Sequence, residues 1–422
     1  MTARPLAAYA SVTAAYWAFM LTDGALRMLV LLHFHVLGFT PVQLAYLFIL
    51  YELAGMITNL CAGWIAARFG LTSTLYAGLI LQIGALCALS QVDPGWALVV
   101  SVAFVMAVQG VSGVAKDLAK MSSKSAVKVL APETEGALFR WVAALTGSKN
   151  AVKGAGFLLG SALLALIGFQ LSVLAMAAAL ALILTAVALL MPAGLPGGRK
   201  GAKFAEVFSR DRNINILSAA RLFLFGARDV WFVVGIPVYF HGVLSDGTEA
   251  GARAAFFQVG TFMAVWIIGY GAVQAFAPRI LRARDKTLGQ TVALARLWTG
   301  LLALIPAALA GAAFGAEGGD AAWLTAALVA GLLAFGVVFA LDSSLHSYLI
   351  LAFSSADRVT MDVGFYYMSN AAGRLVGTLL SGLSYQYGGL PLCLATAAVM
   401  AAASWVSASL LTGGDGRLRA PS

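Results

Sequence analysis

The sequence predicts an all-α integral membrane protein with twelve transmembrane helices arranged as two pseudo-symmetric six-helix halves. Three observations carry that expectation. Hydrophobic residues make up 61% of the 422 and charged residues only 11%, about half the charged fraction of a soluble domain. Apolar runs of about 20 residues, the length that crosses a hydrocarbon core, recur between short polar connections. Alternate connections also differ in charge, one set rich in Lys and Arg and the other acidic.

In chain order the spans fall at 8–36, 41–67, 72–92, 95–120, 137–167, 170–191, 214–242, 253–277, 287–311, 321–350, 360–384 and 390–411. The first is not a secretory signal. Its apolar run from Val12 to Leu37 is too long for a signal core and contains Asp23 and Arg27, so it is expected to remain as helix one. The one long polar interruption, PAGLPGGRKGAKFAEVFSRDRN, separates spans six and seven. It divides the chain into an N-terminal half (1–192), a linker (193–213) and a C-terminal half (214–422).

Arg4, Arg68, Lys124, Lys128, the 199–212 cluster, the Arg279–Lys286 cluster, Arg358, Arg417 and Arg419 fall on one side. The opposite connections hold Asp93, Asp246, Glu249, Glu317 and Asp320, with Arg253 as their one basic residue. Basic connections stay in the cytoplasm, so both termini are expected there. The net charge of +9 is then a topology signal and gives no reason to invoke nucleic acid. Cys61, Cys87 and Cys393 lie inside apolar segments without CxxC spacing, which argues against a disulfide scaffold or a thiol metal site.

The halves echo each other. Thr13-Ala14-Ala15 in span one and Ser218-Ala219-Ala220 in span seven occupy similar positions. Span five carries Ser148, Asn150 and Gly156xxxGly160, and span eleven carries Ser369, Asn370 and Gly373xxxGly377. Parallel repeats about an axis along the membrane normal leave this kind of trace. The GxxxG motifs are read as sites of close helix approach.

Charges inside the spans are the functional clue, because an isolated one at the bilayer centre costs about 2.5–3.5 kcal/mol or more. LFLFGARDVWFVVGIPVYF, residues 222–240, places Arg228 and Asp229 in mid-span, with Arg221 just before. Arg221 and Arg228 are seven apart and share a face, whereas Asp229 points about 100° away from Arg228 and is expected to seek another neighbour. Asp23 and Arg27 are four apart, as are Lys149 and Lys153, and also Asp342 and His346. Tyr367, Asn370 and Arg374 form an i, i+3, i+7 stripe. Lys116, Lys120, Lys124 and Lys128 recur every four residues at the cytoplasmic end of span four. The last two read as a positive-inside anchor, and Lys116 and Lys120 as a vestibule that draws in an anion.

The deep basic residues are Arg27, Lys149, Lys153, Arg221, Arg228 and Arg374, against the acidic Asp23, Glu52, Asp229 and Asp342. The surplus is positive, and Arg and Lys suit phosphate-like oxygens. Ion pairs that merely hold helices together compete with this reading for Asp23–Arg27 and for Asp229. Asp23, Glu52, Asp229, Asp342 and His346 are the candidate proton carriers or ion-pair partners.

Chain length, the six-plus-six division and the basic central linker resemble the major facilitator superfamily. GWIAARFG, residues 63–70, falls where that superfamily has a Gly-x-x-x-Asp-Arg-x-Gly connection; Gly63, Arg68 and Gly70 match and Ala67 replaces the acid. LTDGALRMLVLLHFH, KDLAKMSSKSAVK, LTGSKNAVKG and SAARLFLFGARDVWFVV together look like the organoarsenical efflux permeases of the ArsJ family. That resemblance implies a monomeric, cofactor-free secondary exporter in the bacterial inner membrane, working by alternating access and coupled to protons. Its substrate would be 1-arseno-3-phosphoglycerate, made in the cytoplasm by a partner glyceraldehyde-3-phosphate dehydrogenase with no physical contact implied. Export would confer arsenate resistance.

On this reading Arg221 and Arg228 bind one oxyanion and Lys149 with Lys153 the other. Arg27 and Arg374 complete the cavity, and Tyr367 and Asn370 donate hydrogen bonds. An organophosphate/phosphate exchanger, a multidrug exporter of the same fold, or a non-transporting membrane sensor are the alternatives.

Overall fold

In an apolar surrounding every backbone N–H and C=O needs a partner within the chain, and helices supply it. The computed structural model describes residues 3–69, 71–130, 137–190, 209, 211–282, 286–316, 322–354 and 359–413. Within them, the side chains of 3–9, 60, 62–69, 71, 124–130, 137–147, 190 and 359–361 lie outside the description. The helices are α1 (Ala3–Val36), α2 (Pro41–Phe69), α3 (Leu71–Leu89), α4 (Leu98–Leu130), α5 (Ala137–Leu190) and α6 (Arg212–Val230). A π-helical turn (Trp231–Gly235) leads into α7 (Ile236–Leu244), and α8 (Glu249–Ile280), α9 (Leu288–Gly315), α10 (Ala322–Phe353) and α11 (Val359–Ser409) follow.

Among the described residues ten helical segments are long and apolar enough to cross a membrane. Two of them, Ser148–Leu189 and Asp362–Ser409, run to 42 and 48 residues. A straight helix of that length measures about 60–70 Å, roughly twice the hydrocarbon thickness. Both are broken. Gly168 (φ 73°) interrupts α5 and Gly389 (φ 58°), beside Gly388, interrupts α11. Glycine tolerates a positive φ that other residues resist. Each break falls between two spans that the hydropathy separates.

The chain groups into two compact units. The first comprises Met1–Leu37, Leu53–Ala205 and Gly247–Ile268; the second comprises Gly38–Glu52, Glu206–Asp246 and Gly269–Ser422.

In the first unit α1 crosses α5 at glycine. A Cβ on Gly24 would lie 2.5 Å from the Lys153 carbonyl oxygen, and one on Gly160 would collide with the Ala25 carbonyl. Gly156 likewise meets the backbone of Leu21 and Ala25. Helix α3 packs on α4, where a Cβ on Gly78 would lie 2.9 Å from the Ala115 carbonyl. Ser112 Oγ of α4 donates to Gln82 Oε1 of α3 at 2.6 Å.

The second unit repeats the device between α6 and α11. A Cβ on Gly373 would strike the Leu222 carbonyl, and one on Gly377 would sit 2.7 Å from the Gly226 carbonyl. The GxxxG expectation is therefore met in both units, as close backbone approach. Around this crossing Leu217, Ala220, Leu341, Leu345 and Tyr366 form a buried core. Asp211 caps α6 by accepting from Ile214 N at 3.0 Å, and Thr287 with Gln290 forms a capping box on α9.

The π turn has an identifiable cause. Pro237 has no N–H to offer the carbonyl one turn back, so the regular ladder cannot continue through it. Side chains of α11 meet backbone groups of the turn itself: Ser381 Oγ accepts from Val234 N (3.1 Å) and Gly235 N (3.2 Å). Cys393 Sγ donates to the Val230 carbonyl at 3.1 Å.

A methyl group at Gly373 has only backbone to displace. Gly373→Ala is expected to lower the melting temperature of the purified protein by several degrees, as overpacking costs about 1–3 kcal/mol. Gly84→Ala, where the added Cβ meets nothing within 4 Å, is expected to leave it unchanged or slightly raised. Thermal unfolding of both variants in detergent checks this, and equal effects would refute the close-approach account.

Candidate functional site: buried ion pairs in each unit

The segment containing α6, the π turn and α7 has 83% of its apolar window buried, the largest share of the ten. That burial among protein groups is what allows it to carry charge. Asp229, 1% exposed at its side chain, sits at the centre of the second unit's network. Its Oδ1 receives Arg228 Nη2 at 2.5 Å and Arg228 Nε at 2.6 Å. Its Oδ2 lies 3.4 Å from Arg374 Nε on α11. Arg374 Nη2 then reaches Glu52 Oε1 on α2 at 2.6 Å. Four charges alternate along one chain of contacts.

The sequence spacing expects Asp229 to turn away from Arg228, and this is corrected. The 100° step separates Cβ directions, but an arginine has a long stem and its head reaches the neighbouring carboxylate. The other part of the expectation stands, because Asp229 also contacts a different helix.

Arg221 and Arg228 share a face, as their spacing predicts, with Phe225 between them. Their guanidinium carbons lie 4.2 and 4.8 Å from its ring centroid. Arg221 is 3% exposed and donates from Nη1 to both the carbonyl and the Oγ of Ser343, each at 3.0 Å. It also lies over Tyr366 at 4.9 Å. Among the described residues no carboxylate stands within ion-pair distance of it. The tyrosine that meets this arginine is thus Tyr366; Tyr367 is half-buried and packs against the core cluster. Asn370 is half-buried one turn before Arg374, and its Oδ1 is enclosed without a hydrogen-bond partner. Beneath these, Asp342 accepts from Thr299 Oγ1 at 3.0 and 3.1 Å and lies 3.6 Å from His346 Nε2.

In the first unit Lys153 Nζ of α5 meets Asp23 Oδ2 of α1 at 3.1 Å, so Asp23 has a partner across helices. Trp17 Nε1 donates to Ser148 Oγ at 2.8 Å beside this pair. Arg27 and Lys149 are half-buried on the same two helices. The lysine stripe on α4 contains a carboxylate that the four-residue spacing overlooks. Asp117, buried, accepts from Thr58 Oγ1 at 2.6 Å and lies 3.5 Å from Lys120 Nζ. Lys120 also donates to Asn59 Oδ1 at 3.1 Å. Lys116 is buried near Gly55. The side chains of Lys124, Lys128 and the GWIAARFG segment lie outside the described residues.

Neither protein-family profiles nor curated proteins match this sequence. Solved structures do. The nucleoside transporter NupG, solved as a point mutant, superposes with a TM-score of 0.69 at 14% identity, covering 96% of this chain and 98% of the other. A POT family transporter in complex with 5-aminolevulinic acid gives 0.72 at 13% identity, with 94% of each chain covered. Another, with a thioalcohol-conjugated peptide, gives 0.68 at 13% over the same share of each chain. At such identities the likeness shows the fold, which is that of multi-pass membrane transporters.

Removing one member of a buried ion pair costs about 3–5 kcal/mol. Arg374→Gln is expected at the low end of that range, since Arg374 keeps 19% exposure. The double variant Glu52→Gln/Arg374→Gln is expected to recover part of the loss, giving a non-additive cycle. Thermal unfolding of the two singles and the double measures this; strictly additive effects would dismiss the pairing.

Proposed function

We propose that this chain is a secondary active exporter of a doubly anionic phosphate-type ester, 1-arseno-3-phosphoglycerate, working by alternating access and driven by protons. The observation that carries the proposal is the asymmetry of exposure within the ion pairs. Arg228 and Arg374 are 12% and 19% exposed at their side chains, whereas Asp229 and Glu52 are 1%. Lys153 and Asp23 differ the same way, at 15% and 1%. An arriving anion meets the cations first, with the carboxylates beneath them.

Arg228 spends Nε and Nη2 on Asp229, and its Nη1 is neither buried nor bonded among the described residues. A guanidinium presented in this way suits an oxyanion. Arg228 and Arg374 are assigned one oxyanion, with Arg221 holding Phe225 behind them and Asn370 supplying an amide. Lys149 and Lys153, with Arg27, are assigned an oxyanion within the first unit. Lys116 and Lys120 form the vestibule.

The topology proposed is twelve crossings with cytoplasmic termini in a bacterial inner membrane. Glycine breaks in α5 and α11 and the alternation of basic connections support it. The arsenical identity of the ester rests on the resemblance to the ArsJ family, in which a glyceraldehyde-3-phosphate dehydrogenase supplies the substrate. Asp342 and His346, buried and 3.6 Å apart, are the pair assigned to carry the coupling proton, with Thr299 holding the carboxyl in place.

Arg228→Ala is expected to abolish arsenate resistance in cells co-expressing the dehydrogenase while the protein still reaches the membrane. Unchanged resistance would remove Arg228 from the site. In everted vesicles, uptake of the phosphoester is expected; accumulation of a lipophilic cation with no phosphoester movement would overturn the substrate class. Asp342→Asn is expected to lose uphill transport by about a hundredfold or more, the scale on which a positioned proton-transfer group contributes. Exchange of substrate at equal concentrations should survive. Retention of full proton-driven uptake by Asp342→Asn would exclude it as carrier.

A further inference from the structure

The second unit carries a groove that transport leaves unused, between α9 and the C-terminal half of α11. Its volume is about 660 Å³, and Arg296, Gly300, Ala307, Ala398, Ala402 and Trp405 are among the residues that line it. The only charged residue in its lining is Arg296, at one end. Arg296 Nε donates to the Ala408 carbonyl at 3.4 Å and Nη2 to the Leu411 carbonyl, so the guanidinium also closes the end of α11. Its Nη1 makes no hydrogen bond among the described residues and is not buried.

The dimensions fit one leaflet. Helix α9 has 28 residues, about 42 Å against a hydrocarbon core of about 30 Å. The excess at each end puts Arg296, two turns from the start of α9, near the boundary where a long cationic side chain reaches a headgroup. From Arg296 to Ala307 the groove follows α9 through eleven residue steps, about 16 Å, which is half the hydrocarbon thickness. An apolar trough one leaflet long, closed at its interfacial end by a cation and free of carboxylates, matches an acyl chain beneath an anionic headgroup.

We propose that this groove is a binding site for an anionic glycerophospholipid, its headgroup phosphate on Arg296 and one acyl chain lying along Gly300 to Ala307 against α11. The test is native mass spectrometry of the full-length protein in mild detergent with equal amounts of phosphatidylglycerol and phosphatidylethanolamine of the same chain length. The expected result is retention of phosphatidylglycerol over phosphatidylethanolamine by about five-fold, the scale of one interfacial cation acting on an anionic lipid. Arg296→Gln should bring the ratio near one and Arg296→Lys should keep it. Ala307→Phe, which fills the far end and leaves Arg296 in place, should lower retention of both lipids. If Arg296→Gln does not fold, the wild-type ratio and Ala307→Phe decide. Equal retention of both lipids by the wild type, or wild-type retention by Ala307→Phe, would overturn the proposal. So would a dimer that Ala307→Phe splits, because a second copy would then cover the groove.

Discussion

One carboxylate holds two guanidinium groups, and the second unit's interior is arranged around it. Asp229 takes Arg228 on one oxygen and Arg374 on the other, and Arg374 passes the contact to Glu52. In a low-dielectric interior an unpaired charge is costly, and a pair repays its desolvation only with good geometry. The glycine crossing of α6 and α11 supplies that geometry. With Gly226, Gly373 and Gly377 at backbone contact, the charges carried just beyond the crossing are brought within reach of each other. The first unit solves the same problem with different residues, as Gly24, Gly156 and Gly160 bring α1 and α5 together beside the Asp23–Lys153 pair.

Much of this is legible in the sequence, and the limits follow from what spacing can encode. Hydropathy locates the helices, and the breaks fall between them at Gly168 and Gly389, whose positive φ glycine takes cheaply. The GxxxG motifs announce close packing, though not their partner helices. Helical spacing puts Arg221 and Arg228 on one face correctly. It does not foresee that Phe225, between them on that face, receives both. Spacing also reports where a side chain starts and not where a long one ends, which is why the Arg228–Asp229 contact escapes it.

Other parts need the third dimension. Asp117 is hidden in the sequence by the lysines around it, and its partner Thr58 lies on another helix with nothing nearby to mark it. Tyr366 and Ser343 meet Arg221 from α11 and α10, and no interval along the chain connects the three. Pro237 is the one local signal for the π turn, and a proline in a span is as often a simple kink.

That π turn also alters how the surrounding segment should be read. A single wide turn inserts about one residue into the helical count, and one residue corresponds to about 100° of rotation. Positions after Gly235 are therefore out of phase with those before Trp231, and α6 and α7 do not share a helical wheel. A scan of polar substitutions from 212 to 244 would show a tolerance pattern of ordinary period on each side, with a slip in register at the turn. Ser381 and Cys393 brace that slip from α11, so the angular offset between the charged half of the segment and its aromatic half is contacted by two side chains from another helix.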